Sequence, residues 1–348
     1  MLFQQLIMSR NFSLPPGDTA ANVCDAPPAS EALRVGLLSN PRSGGNRKGL
    51  GVVRDFLAAH PHVQGGEAST PDELEAVLSR FAEYGVDLLI INGGDGTVHA
   101  VLTALFGRRL FSRPPILALL QAGTSSMLAR DVGIRGEPLA GLRKIRDWSL
   151  NPQRTMHAVH IRPVLLVRQC DDRNPQCGMF FGAGAIPRGI DLCHESMNPN
   201  GLRGELMPAL IIMRLLLAGL TGNEKLLPPT DMEISCDHAP AERQSCLFAI
   251  VSTLERLFLG LHPFWGTEDA GLHFTALKSK PAYLLRNLPF LMYGHHRVSA
   301  SPQNGYFSHN AQTITLNFEG RFTLDGEIYE ARPPLTIETT GPARFLKL

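Results

Sequence analysis

The chain has 348 residues, 44% of them hydrophobic and 19% charged, with a formal net charge of +1. That length suggests about two domains with sizeable cores, and the near-zero charge supplies no global field to recruit nucleic acid, so no nucleic-acid partner is expected. The six cysteines include no C-x-x-C pair and read as reduced thiols of a cytosolic protein, and no run reaches the roughly 18 to 20 apolar residues of a spanning helix.

Residues 1–31 hold Pro15-Pro16-Gly17-Asp18 and Pro27-Pro28 and read as a flexible leader. The short apolar start, followed by Arg10, lacks the plan of a signal peptide. Arg34 to Ser39 is the first strand candidate. It runs into Asn40-Pro41-Arg42-Ser43-Gly44-Gly45-Asn46-Arg47-Lys48-Gly49, a Gly-rich and cation-bearing loop, and then into a helical pattern at Val52, Val53, Phe56 and Leu57. Backbone N–H groups with Arg42, Arg47 and Lys48 could hold phosphate oxygens. The spacing is not that of a P-loop.

Thr70-Pro71-Asp72-Glu73 is a capping box with proline at the first helical position, and Leu74, Val77, Leu78 and Phe81 share one face of the helix it opens. Leu88 to Ile91 is an apolar run short enough for a buried strand. It breaks at Asn92-Gly93-Gly94-Asp95-Gly96-Thr97 and resumes as a helix with Val98, Val101, Leu102 and Leu105 on one face. A strand that ends in a Gly-rich turn and opens a helix is a place to hold phosphate. A carboxylate there would repel phosphate unless a cation mediates, so Asp95 points to a divalent metal, Mg²⁺ above all. The plain structural alternative is a tight turn with Asp95 as the helix N-cap. A third buried strand, Ile116 to Leu120, stops at Gln121-Ala122-Gly123-Thr124-Ser125-Ser126. In an open α/β sheet ligands bind outside the carboxyl ends of the strands, so all three loops can face one site.

Beyond about residue 150, strand-like runs dominate: Ala158 to Val167, Met179 to Phe181, Leu247 to Val251 and Thr313 to Phe318, separated by Pro- and Gly-rich turns. The expectation is an α/β domain over 32–152 and a mainly β-sandwich domain over 153–348, with a return of the last strands to the first domain left open. Phe180 to Ala185 is a Gly-punctuated strand end. Asp325-Gly326-Glu327 follows a short strand and, taken alone, reads as a hairpin turn. Residues 278–297 carry Lys278, Lys280, Arg286, Arg297, His295 and His296 among Leu284, Leu285, Leu288, Phe290, Leu291, Met292 and Tyr293, without one acid. Such a segment, like Leu206 to Leu220, docks on an anionic bilayer or covers a core. His157 with His160, and His60 with His62, lack a matched third ligand and read as structural.

Together these pieces resemble the diacylglycerol kinase catalytic-domain family, which includes sphingosine, ceramide and bacterial lipid kinases. Asn40-Pro41 with Gly44 resembles its first loop. Gly93-Gly94-Asp95-Gly96-Thr97 matches its nucleotide motif. Gly123-Thr124, with Ala129-Arg130 and Gly133, resembles its third motif, and Asp325-Gly326-Glu327 its C-terminal acidic motif. The third motif commonly continues Gly-Thr-x-Asn. Ser126 stands in place of that Asn and lacks an amide's paired donor and acceptor.

The resemblance implies an α/β nucleotide domain and a β-sandwich domain with ATP and substrate between them. It implies ATP- and Mg²⁺-dependent phosphorylation of a lipid hydroxyl at the inner face of a membrane by a cytoplasmic, peripheral enzyme. The lipid is diacylglycerol, ceramide or a sphingoid base, and a homodimer is left open. With the loop cations Arg42 and Lys48 and with Ser126 at the departing position, the expected cofactor set is Asn40, Pro41, Arg42, Gly44, Lys48, Gly93, Gly94, Asp95, Gly96, Thr97, Gly123, Thr124 and Ser126, with Asp95 at the metal. Asp325 is the expected general base, assisted by Glu327 and Asp95. Two other readings remain open at this stage. A soluble-substrate kinase of the NAD kinase type shares the Gly-Gly-Asp-Gly-Thr loop, with Asn223-Glu224 as its weak support. A non-catalytic nucleotide- or lipid-binding regulator is opposed by the intact Asp95, Asp325 and Glu327.

Overall fold

The computed structural model describes residues 33–121, 133–134, 136–151, 156–170, 174–196, 229–254, 256–257, 260–295 and 297–348. The leader, the third loop from 122 to 132, the run Leu206 to Leu220, Asn223-Glu224 and His296 lie outside them.

In chain order the first elements are β1 (Val35–Ser39), α1 (Asn46–Ala59), β2 (Val63–Glu67), α2 (Pro71–Tyr84), β3 (Leu88–Gly93), α3 (Asp95–Leu102), β4 (Ile116–Gln121), α4 (Pro138–Leu150) and β5 (Val159–Arg162). Then come β6 (Leu165–Arg168), β7 (Gln176–Gly178), β8 (Phe180–Gly184), α5 (Ala185–Ser196), β9 (Thr230–Cys236), β10 (Glu242–Ser252), β11 (Leu272–Lys278) and α6 (Leu284–Leu291). The last are β12 (Tyr306–Ala311), β13 (Thr313–Asn317), β14 (Arg321–Leu324), β15 (Glu327–Glu330), β16 (Leu335–Thr339) and β17 (Ala343–Leu346).

The first sheet has the order β2-β1-β3-β4-β17-β5, with β1 to β4 parallel. Its central strands are buried on both faces. Leu88 and Ile90 pack with Val53 and Phe56 of α1 and Leu142 and Ile145 of α4. Leu89 and Ile91 turn to Leu78 and Phe81 of α2 and Val98 and Val101 of α3. That is why these strands read as continuous apolar runs rather than alternating ones. α2 starts as its sequence demands: Thr70 Oγ1 accepts from Glu73 N–H at 3.3 Å, Glu73 Oε2 accepts from Thr70 N–H at 3.2 Å, and Gly85 closes the helix at φ 74°.

β2 was not legible. Its Gly65 and Gly66 resemble a turn, yet a Cβ on Gly65 would come within 2.7 Å of Leu57 and one on Gly66 would strike Val77. The glycines let α1 and α2 close over an edge strand.

The second sheet is antiparallel, in the order β15-β14-β8-β10-β9-β13-β16-β6-β7, with β11 pairing β10 and β12. The long β10 joins its two parts. Residues up to Cys246 pair with β9, those from Phe248 pair with β8, and the register on β11 shifts between the two. Buried side chains from both parts, Phe181, Phe274 and Phe322 from one and Ile234, Ile314 and Ile337 from the other, form one cluster. The two layers of the sandwich are thus one sheet folded about β10, rather than two separate sheets.

The run Ala158 to Val167 is divided between the sheets: Val159–Arg162 lies in the first and Leu165–Arg168 in the second. The chain crosses to the β domain there and comes back through β17, which inserts between β4 and β5.

Candidate functional site

The site forms where β1 and β3 end. β3 stops at Gly93, Gly94 is the N-cap in extended backbone, and α3 starts at Asp95 without a side-chain cap. Asp95 is therefore the first helical residue and not the N-cap. It is half-buried, at the helix end that favours negative charge. A Cβ on Gly93 would lie 2.6 Å from Thr97 Cβ, so the turn closes only with glycine there.

The first loop is locked onto this turn. Asn40 Nδ2 donates to Thr97 Oγ1 at 2.9 Å, and Gly94 N–H donates to Ser43 Oγ at 3.1 Å. Asn40 N–H donates to Asn92 O at 3.0 Å. Buried Asn46, the first residue of α1, donates from Nδ2 to the carbonyls of Asn40 and Asn92, both at 2.9 Å. These bonds fix two Gly-rich loops as one surface. Arg42, Gly44 and Arg47 are exposed on it and Pro41 is half-buried. The Lys48 side chain, Gly123, Thr124 and Ser126 lie outside the described structure. β4, which leads to the third loop, pairs with β3 out to Gly93↔Gln121.

The acidic hairpin arrives from the other domain. Asp325 and Gly326 join β14 to β15 with φ values of 52° and 95°, both positive as a type I′ turn requires. The hairpin reading of the dipeptide is correct, and it does not exhaust the residue. Asp325 Oδ1 accepts the N–H groups of Met179 at 3.0 Å and Phe180 at 2.9 Å, and Oδ2 accepts Met179 N–H at 3.1 Å. Its own N–H donates to Phe180 O at 2.9 Å. A Cβ on Gly178 would meet Asp325 Oδ2 at 2.5 Å, so the absent side chain there makes room for the carboxylate. Glu327 is exposed, and its Oε1 fills the space that a Cβ on Gly96 would need. The Gly-rich turn and the acidic hairpin, far apart in sequence, are in direct contact.

A buried histidine links the same two elements. His99, one helical turn after Asp95, has Nδ1 3.8 Å from Asp325 Oδ2, with side-chain exposures of 5% and 0%. Its Nε2 lies 2.6 Å from Tyr329 Oη, and that hydroxyl lies 3.3 Å from Gln176 Oε1. Burial pushes the Tyr329 hydroxyl pKa well up, and the charges of Glu327 and Asp325 add to it. Tyr329 therefore keeps its proton. That proton is directed to Gln176 Oε1, so the hydroxyl oxygen is free to accept from His99 Nε2–H.

The sequence pointed to Asp95, the glycines, Asn40, Thr97, Asp325 and Glu327. It missed Ser43, Asn46, His99, Tyr329 and the Met179–Phe180 amides. Asn46 carried a faint signal as a polar residue opening a helix beside glycines. His99 and Tyr329 carried none, since their link spans 230 positions.

Residues 34–158 match the family model of the diacylglycerol kinase catalytic domain. A probable lipid kinase YegS-like from Stenotrophomonas maltophilia is 29% identical over 126 residues, 36% of this chain and 39% of that protein. The chain thus spans about two fifths of the length of this curated relative. A diacylglycerol kinase structure from Bacillus anthracis superposes with a TM-score of 0.57 at 18% identity, covering 91% of this chain and 97% of that one. A putative diacylglycerol kinase from the same organism gives 0.60 at 20% identity, covering 89% and 93%. At those identities the likeness is one of fold. The resemblance read from the motifs holds over residues 34–158, and Asp325 and Glu327 fall outside that match.

Proposed function

We infer that this chain is a lipid kinase, moving the γ-phosphate of ATP to a hydroxyl of a membrane lipid: diacylglycerol, ceramide or a sphingoid base. The observation that carries the reading is the contact between Glu327 and Gly96, which sets the acidic hairpin against the Gly93–Thr97 turn. A phosphate cradle alone binds nucleotide. A cradle faced by two carboxylates from a second domain also has the groups to activate an alcohol.

The residues fit Mg-ATP. Backbone at Gly96, with the exposed Arg42 and Arg47, gives a donor and cations for phosphate oxygens. Asp95 is the carboxylate that would hold the ion; Mg²⁺ takes one or two carboxylates and fills the rest of its shell with phosphate oxygens and water. When bound, the ion neutralises charge on the phosphates. Asp325 is the base. Oδ1 is its anchor, held by two amides, and Oδ2 faces His99 and receives the hydroxyl proton as the lipid oxygen attacks phosphorus. The carboxylate is fully buried in this structure, so the acceptor hydroxyl needs an opening beside Oδ2. Glu327 stays at the phosphate side of the turn.

The test is transfer of radiolabel from ATP in mixed micelles to diacylglycerol, monoacylglycerol, ceramide, sphingosine and undecaprenol, with NAD as a soluble control. Label in one lipid, lost in Asp325→Asn, supports the reading. Label in NAD alone overturns it, and ATP binding with no transfer to any acceptor points to a regulator.

A further inference from the structure

Half of the large apolar side chains exposed among the described residues fall in one short stretch. Of the ten, Tyr283, Leu285, Phe290, Tyr293 and Val298 all belong to the connection between β11 and β12. Apolar side chains scattered singly need no explanation, but a cluster on one excursion does. The excursion, residues 279–305, contains α6 and is firmly built at its base. Leu284 and Leu291 are buried against Leu247, Leu277, Ala300 and Tyr306. Tyr306 Oη donates to Ala282 O at 2.6 Å, and Ser299 Oγ donates to the buried Asn287 Oδ1 at 2.6 Å. The inner face of α6 is thus core. The outer face, with Leu285, Arg286, Pro289 and Phe290, is presented to solvent.

Charge identifies what the face meets. No Asp or Glu occurs from residue 270 to residue 318, a stretch that holds Lys278, Lys280, Arg286 and Arg297. The Arg297 guanidinium lies 3.9 Å from the centroid of the Phe290 ring, and Lys278 Nζ lies 5.3 Å from that of Phe307. Cations set on aromatic rings beside exposed Tyr and Leu are the mix suited to a bilayer interface, where rings sit at headgroup depth and cations meet anionic lipid. A second copy of the chain is disfavoured, because a symmetric pairing would set two basic faces together. An eight-residue helix rises only about 12 Å, so it lies on a bilayer and does not cross it; among the described residues no helix is long and apolar enough to cross a membrane.

We propose that the described residues of 279–305, with Lys278 at their base, dock the protein on an anionic lipid surface, with Tyr283, Leu285, Phe290, Tyr293 and Val298 entering the interface and Lys278, Arg286 and Arg297 meeting headgroups. This goes beyond the kinase reading and does not depend on it, since binding is read without ATP or acceptor.

The experiment is co-sedimentation of the full chain with phosphatidylcholine vesicles, with and without phosphatidylglycerol. Binding to the anionic vesicles is expected, weakened at 0.5 M salt. Leu285→Glu and Tyr293→Glu should each weaken it on the order of tenfold or more, with unchanged thermal melting and unchanged phosphorylation of a short-chain, water-soluble acceptor. Leu285→Gln serves if the charged variants misfold. No binding to either vesicle, or binding that all three variants retain, overturns the proposal. A dimer in velocity sedimentation that these variants dissociate assigns the face to a second copy and overturns it too.

Discussion

His99 Nδ1 stands 3.8 Å from Asp325 Oδ2, inside the boundary between the two domains. The helix that follows the Gly93–Thr97 turn thereby touches the carboxylate carried by the opposing hairpin, and Tyr329 fixes the ring from its other side. Replacing His99 with Ala leaves Asp325 without its neighbour and Tyr329 without its partner. The expected result is a fall in kcat of about a hundredfold, as for a misplaced reacting group, with KM for ATP unchanged. His99→Asn keeps a polar group between Asp325 and Tyr329 and should recover part of the loss. Equal falls in both variants, or a matching rise in KM, would reduce His99 to packing.

Asp325→Asn and Asp325→Ala separate chemistry from folding. Asn tolerates positive φ, so the hairpin survives while activity falls roughly 10² to 10⁴-fold. Ala at φ 52° also deprives the Met179 and Phe180 amides of their acceptor, and should cost about 2 to 3 kcal/mol of stability as well. Denaturant titration of both proteins checks the difference.

Gly96→Ala puts a methyl group where Glu327 Oε1 sits. The side chain is exposed and can swing aside, so stability should change by less than about 1 kcal/mol. Activity should fall at least about tenfold, because the hairpin and the turn no longer meet as they do now. ATP affinity measured calorimetrically tells whether the loss lies in binding or in transfer.

The buried thiols fix an alkaline limit. Burial pushes Cys177 and Cys246 up to about 12 and Cys236 up to about 11. Below the unfolded value near 9 each thiol is protonated in both states and adds no pH dependence. Above it the unfolded chain loses those protons first, so stability falls as pH rises from about 9 to 12, by up to about 1.4 kcal/mol per pH unit for each of the buried Cys177 and Cys246 and by less for the half-buried Cys236. Replacing Cys177 with Ala should make that slope shallower, whatever it does to the absolute stability. An unchanged slope would show that this thiol ionises equally in both states.

Much of this was legible locally. The capping box at Thr70, the buried runs at 88–91 and 116–120, and the Gly93–Thr97 turn each carry their cause within a few residues. The loop pairing through Asn40 and Thr97 could be expected in outline, because strand ends in an open sheet gather ligands on one side. What resisted reading was set by distant partners. Gly65 and Gly66 look like a turn until Leu57 and Val77 are seen pressing on them. His99 looks like any histidine on a helix until the 325–329 hairpin reaches it. Asp325-Gly326 fits a hairpin turn so well that nothing local says its carboxylate is buried.

The insertion of β17 between β4 and β5 governs the order of events on the ribosome. Residues 33–121 can emerge and begin to pair, but β5 has no neighbour until Ala343–Leu346 is made, after the whole β domain. Until then β4 is an open sheet edge, the kind of surface that recruits other chains. A nascent or C-terminally nicked protein would share that exposure. Cutting the gene after the β domain should therefore yield insoluble protein rather than a free α/β domain.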